Sequence, residues 1–97
     1  MTVTTTRVIL PGLLRDLVGR GEIEVAATDG EQTVAQLLDA AFSEHRILDG
    51  KVRDETGRLR PHVKVFVNGE DATRGRGLET PVPAGARVHI INAVSGG

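Results

Sequence analysis

Apolar and polar positions alternate at period two in four stretches, and a fifth repeats at helical spacing. Residues 3–11 are rich in Thr, Val and Ile. They predict a strand with Thr6, Val8 and Leu10 on one face and Arg7 and Ile9 on the other. Pro11-Gly12 ends it, and residues 13–18 read as a turn or loose helical segment closed by Gly19 and Gly21. Glu22-Ile23-Glu24-Val25-Ala26 is the second alternation, antiparallel to the first if the short connection folds as a hairpin. Asp29-Gly30 marks a turn. Thr33 followed by Gln36 fits a capping box, in which two side chains satisfy orphan donors at a helix start. Behind it Val34, Leu37, Leu38 and Ala41 fall at i, i+3, i+4 and i+7, an amphipathic helix expected to end near His45. His45 would then favour the helix C-terminus as a dipole partner.

Residues 47–60 are polar, with Asp49-Gly50 as a turn signal. They predict an exposed excursion with a short hairpin around Glu55-Thr56-Gly57. His62-Val63-Lys64-Val65-Phe66-Val67 alternates again and stops at Asn68-Gly69, a favoured tight turn. Residues 70–83 read as loop with at most a short strand or turn. In the last strand, residues 87–92, Val88 and Ile90 face one way, and Arg87, His89 and Ile91 the other. One main helix and several strands imply an α+β fold, with a mixed sheet packed on that helix. If the first and last strands pair in parallel at the sheet centre, the fold is a β-grasp.

The chain has 97 residues, enough for one small domain; residues 1–92 are assigned to it and residues 93–97 to a flexible C-terminal tail. Twelve basic and thirteen acidic residues show no nucleic-acid or anionic-membrane footprint. No apolar run approaches a membrane span and the first ten residues lack a leader pattern, so a cytoplasmic location is expected. The absence of cysteine excludes disulfides, zinc ribbons, iron–sulfur clusters and thiol nucleophiles. With two Phe and no Tyr or Trp, a base-stacking platform is not expected. His62 and His89 share the predicted outward face and would approach if their strands pair. Two histidines without a third ligand do not make a metal site, and none is assigned. Arg53, Arg58 and Arg60 could contact an acidic partner, but read more simply as solvated loop charges.

Residues 57–97 carry a more specific signal: Val67-Asn68-Gly69-Glu70-Asp71 after the strand, Gly77-Leu78 before a Pro-Ala-Gly turn, and the final Ala93-Val94-Ser95-Gly96-Gly97. With Leu10-Pro11 and Leu13-Leu14-Arg15, this pattern resembles the ubiquitin-like sulfur carriers. That family includes the small subunit of molybdopterin synthase, the thiamin-pathway carrier and the actinobacterial carrier of cysteine synthesis. Asn92 departs from the proline common in the family, and Arg87 from a commonly acidic position. The resemblance implies a protein co-substrate, not an enzyme. An E1-like adenylyltransferase using ATP and Mg would adenylate Gly97, and a sulfurtransferase or sulfide would convert it to a thiocarboxylate, while the chain itself binds no cofactor. A sulfur-accepting synthase would take the sulfur: a cysteine-synthase-like protein first, the molybdopterin synthase large subunit next. The competing reading is a ubiquitin-like binding module or protein modifier.

Chemistry agrees with that implication. Glycines lack a Cβ to clash in a narrow channel and leave the Gly97 carbonyl open to attack. Five residues extend at most about 17 Å, enough to enter a buried site while the domain stays outside. Ile9, Phe66 and Ile91, on three neighbouring strands and pointing away from the helix, are the candidate docking face.

Overall fold

The structure is a computed structural model that describes residues 4–27, 32–73 and 75–92. In chain order it contains β1 (Thr5–Ile9), α1 (Gly12–Val18), β2 (Glu22–Ala26), β3 (Gln32–Thr33), α2 (Val34–Ala41), α3 (Arg46–Val52), β4 (Val63–Val67) and β5 (Glu70–Asp71). A 3-10 turn (Gly77–Glu79), β6 (Pro81–Val82) and β7 (Arg87–Asn92) complete it. Five strands form one sheet in the order β2-β1-β7-β4-β5. β1 and β7 run parallel at its centre, and every other pairing is antiparallel. β3 and β6 make a separate two-stranded pair. This is the β-grasp arrangement.

Period-two patterning sorts the sheet faces. Thr6 and Val8 of β1, Ile23 and Val25 of β2, Val63, Val65 and Val67 of β4, and Val88 and Ile90 of β7 are all buried. They meet Val34, Leu37, Leu38 and Ala41 of α2, each at most 3% exposed. Burying one such aliphatic side chain contributes roughly 1.5–3 kcal/mol. Thr33 and Gln36 close the expected capping box: the Gln36 N–H donates to Thr33 Oγ1 at 3.2 Å, and the Thr33 N–H to Gln36 Oε1 at 2.9 Å. The turn after β4 is equally legible, since Asn68 (φ 50°) and Gly69 (φ 88°) both take the left-handed conformation that a tight hairpin demands. The Asp29-Gly30 turn lies outside the described residues.

Three expectations are corrected. α2 stops at Ala41, not near His45, because Phe42 leaves helical geometry to enter the core and the Ser43 hydroxyl donates to the Ala40 carbonyl. His45 is consequently the N-cap of α3, not a partner for a helix C-terminus. The excursion is not wholly exposed. Asp49 and Gly50 lie inside α3, whose Leu48 and Val52 are fully buried. The hairpin expected at its tip is present, with Arg53 bridged to Leu59. Residues 70–83, expected to hold at most a short strand or turn, contain two two-residue strands and a 3-10 turn.

Arg53 fastens the excursion to the body. Its Nε donates to Asp49 Oδ1 at 2.7 Å, and Nη2 lies 2.9 Å from Asp39 Oδ1 of α2. Burial works against its charge, but these two carboxylates outweigh burial and raise its pKa. Arg60 Nε donates to the Gly50 carbonyl at 2.8 Å. Two of the arginines expected to be solvated are therefore structural.

Candidate functional site

The centre of the site is β7, which leads into residues 93–97. Those five, including the candidate reactive Gly97 and Ala93, Val94, Ser95 and Gly96, lie outside the described residues. Their point of departure is well held. β7 is paired on both sides, with Arg7, Val8 and Ile9 opposite Arg87, Val88 and His89, and with β4 in register as far as Val63 opposite Asn92. Past His89 the register continues on the β4 side, so the last residues before the tail are held by that ladder.

On the outer face, register arranges side chains in rows. The middle row runs Glu22, Ile9, His89, Phe66, Asp71 across β2, β1, β7, β4 and β5. Ile9 and Phe66 are half-buried, one on each side of exposed His89. Toward the tail, Ile91 stands opposite Lys64 and is 42% exposed. In the other direction Arg7 stands opposite Arg87, whose backbone is clasped by Asn68: the Arg87 N–H donates to Asn68 Oδ1 at 3.0 Å, and the Asn68 N–H to the Arg87 carbonyl at 2.8 Å. The structure thus gathers Ile9, Phe66 and Ile91 on one face around the strand that carries the tail. His62 and His89 do not meet. Phe66 opposes His89, so His62 is displaced four residues along β4, about 13 Å. Among the described residues no group of three or more His, Cys, Asp or Glu could hold a metal ion. No helix among them is long and apolar enough to cross a membrane.

Sequence reasoning missed Leu13 and Leu17. α1 turns Leu14 inward and leaves Leu13 60% and Leu17 44% exposed. Because β1 runs parallel to β7, α1 begins at the sheet end from which the tail leaves. The available signal was their i, i+4 spacing, offset from the buried Leu14 and half-buried Val18.

The ThiS family model matches residues 8–97. The chain belongs to the ThiS family. Its members are ubiquitin-like sulfur carriers, protein substrates and not catalysts. The chain is 33% identical over 99 aligned residues to sulfur carrier protein CysO of Mycobacterium tuberculosis, covering 100% of both chains. The crystal structure of SAMP1 from Haloferax volcanii superposes with a TM-score of 0.81 at 31% identity, covering 96% of this chain and 99% of that one. The Amycolatopsis orientalis BexX/CysO complex matches with a TM-score of 0.78 at 30% identity, covering 95% and 99%. The ThiS-family match takes in the end of β1 from Val8 and every later element, through to Gly96-Gly97.

Proposed function

We propose that this chain carries sulfur as a thiocarboxylate on Gly97. The observation that carries the reading is the family match through Gly97, on a chain with no cysteine to hold sulfur elsewhere. The Gly97 carboxylate attacks the α-phosphate of ATP on an E1-like enzyme, and pyrophosphate leaves. Hydrosulfide then adds to the acyl carbon and AMP leaves, giving the thiocarboxylate and one proton. The carrier supplies no catalytic side chain. It contributes an unhindered carbonyl on a tail anchored by β7, with Ile9, Phe66 and Ile91 as the docking face. ATP and Mg belong to the activating enzyme. The acceptor we favour is a cysteine-synthase-like protein, and molybdopterin synthase comes second.

A second reading has its own support: small archaeal modifier protein 1 of Haloferax volcanii is 33% identical over 84 residues, covering 87% of this chain and 91% of that protein. A modifier would use the same adenylate but end joined to a lysine of another protein. The test is pyrophosphate release with the E1-like enzyme of the source organism, ATP and Mg, followed by sulfide or by lysine-bearing protein. Sulfur uptake with no conjugate supports the carrier, and conjugation without sulfur uptake supports the modifier. Deleting Gly97 should abolish pyrophosphate release, because Gly96 then stops about 3.5 Å short of the reacting phosphate. Release that survives the deletion contradicts both readings.

A further inference from the structure

The outer face has a charge pattern that the fold does not need. Arg7 and Arg87 are registered partners on adjacent parallel strands, pointing to the same side about 5 Å apart. Like charges placed directly opposite destabilise a sheet. Glu24 is the one carboxylate in that row. It lies 3.8 Å from Arg7, with the two side chains 40% and 56% exposed, so it offsets only part of the repulsion. Among the described residues Arg87 has no ion-pair partner, and neither has Lys64, beyond the apolar row beside Ile91. Cations therefore stand on both sides of the Ile9, His89, Phe66 row. The three central strands contribute only basic charge to this face, and the two flanking strands only Glu22, Glu24 and Asp71.

We infer that the Arg7–Arg87 pair and Lys64 receive carboxylates of the activating enzyme, whose docking surface has an apolar centre with acidic side chains on both sides. This rests on the proposed role of Gly97, which requires such an enzyme. Two adjacent guanidiniums strained by mutual repulsion gain when a carboxylate settles between them. The apolar row supplies area, while the cations set register and speed the encounter. A polyanion fits less well: a nucleic-acid strand or an anionic bilayer laid over the face would also meet Glu22, Glu24 and Asp71.

The experiment measures pyrophosphate release by the E1-like enzyme against carrier concentration, at low and high salt. Arg87→Glu should lower kcat/KM about tenfold at low salt, with kcat at saturation within about twofold of wild type. The deficit should shrink in high salt, where such attraction is screened. Lys64→Glu should act in the same direction, Arg87→Lys should retain most of the rate, and Arg58→Glu, on the hairpin away from this face, should stay within about twofold. The melting temperature of Arg87→Glu should equal or exceed that of wild type, since the introduced carboxylate would face Arg7. A purely structural role for Arg87 predicts the reverse. The inference is overturned if both charge reversals leave kcat/KM unchanged, if the deficit ignores salt, or if only kcat falls. Charge-dependent binding of an oligonucleotide or an anionic vesicle with kcat/KM unaffected also overturns it. These results leave the carrier reading intact, whereas a wild-type chain that is never adenylated overturns both.

Discussion

The two faces of β7 differ in what they ask of their neighbours. Val88 and Ile90 point into a core closed by α2, where they are at most 2% exposed. Arg87, His89 and Ile91, each one residue away, point into solvent. The inner face is satisfied within the chain. The outer face holds half-buried apolar groups and an unfavourable pair of arginines, and both would be satisfied only by another molecule. Inner positions should therefore govern stability and outer ones recognition, and substitutions can separate the two.

The largest stability effect belongs to the inner side. Leu38→Ala removes a fully buried side chain and should cost about 2–5 kcal/mol in denaturant unfolding, while the folded fraction is adenylated normally. Loss of catalytic efficiency in the still-folded variant would break the division. On the outer side, Phe66→Ala should raise the KM for adenylation roughly tenfold and lower stability by no more than about 1 kcal/mol. A large loss of stability with unchanged KM would return Phe66 to the core.

The smallest effect lies in the hairpin that follows α3. Asp54 Oδ1 accepts from the Thr56 hydroxyl and from the Thr56 and Arg58 N–H groups, and these bonds, the Thr56 hydroxyl foremost, hold its pKa below the usual carboxylate value. A depressed folded pKa contributes stability above the unfolded value of about 4, and loses it as pH falls through the folded value. Asp54→Ala should therefore melt slightly lower than wild type at neutral pH, and the gap should close in acid. A gap that widens in acid would contradict the turn geometry.

Local chemistry made much of this legible. Period two assigned the sheet faces correctly, which put Ile9, Phe66 and Ile91 on the outer side; that their strands are neighbours followed from the β-grasp arrangement and not from alternation. The capping box placed the start of α2, and Asn68-Gly69 placed the hairpin. Non-local contacts stayed hidden. Nothing in Gln32–Thr33 or Pro81–Val82 announces a strand, because each is two residues long and exists through pairing with the other. α3 was masked by Asp49-Gly50, a turn signal overridden when Leu48 and Val52 found the core and Arg53 bound Asp49. The Arg7–Arg87 opposition required the parallel register, which alternation cannot supply.

The central claim is that the sulfur is borne on Gly97 and nowhere else. Its most direct test is the intact mass of the chain after incubation with the E1-like enzyme, ATP, Mg and sulfide, followed by fragmentation. The mass should rise by the difference between one sulfur and one oxygen, confined to the fragment ending in Gly97, with Lys51 and Lys64 unmodified. An unchanged mass despite a verified free Gly97 carboxylate, or sulfur found on any other residue, would contradict the account.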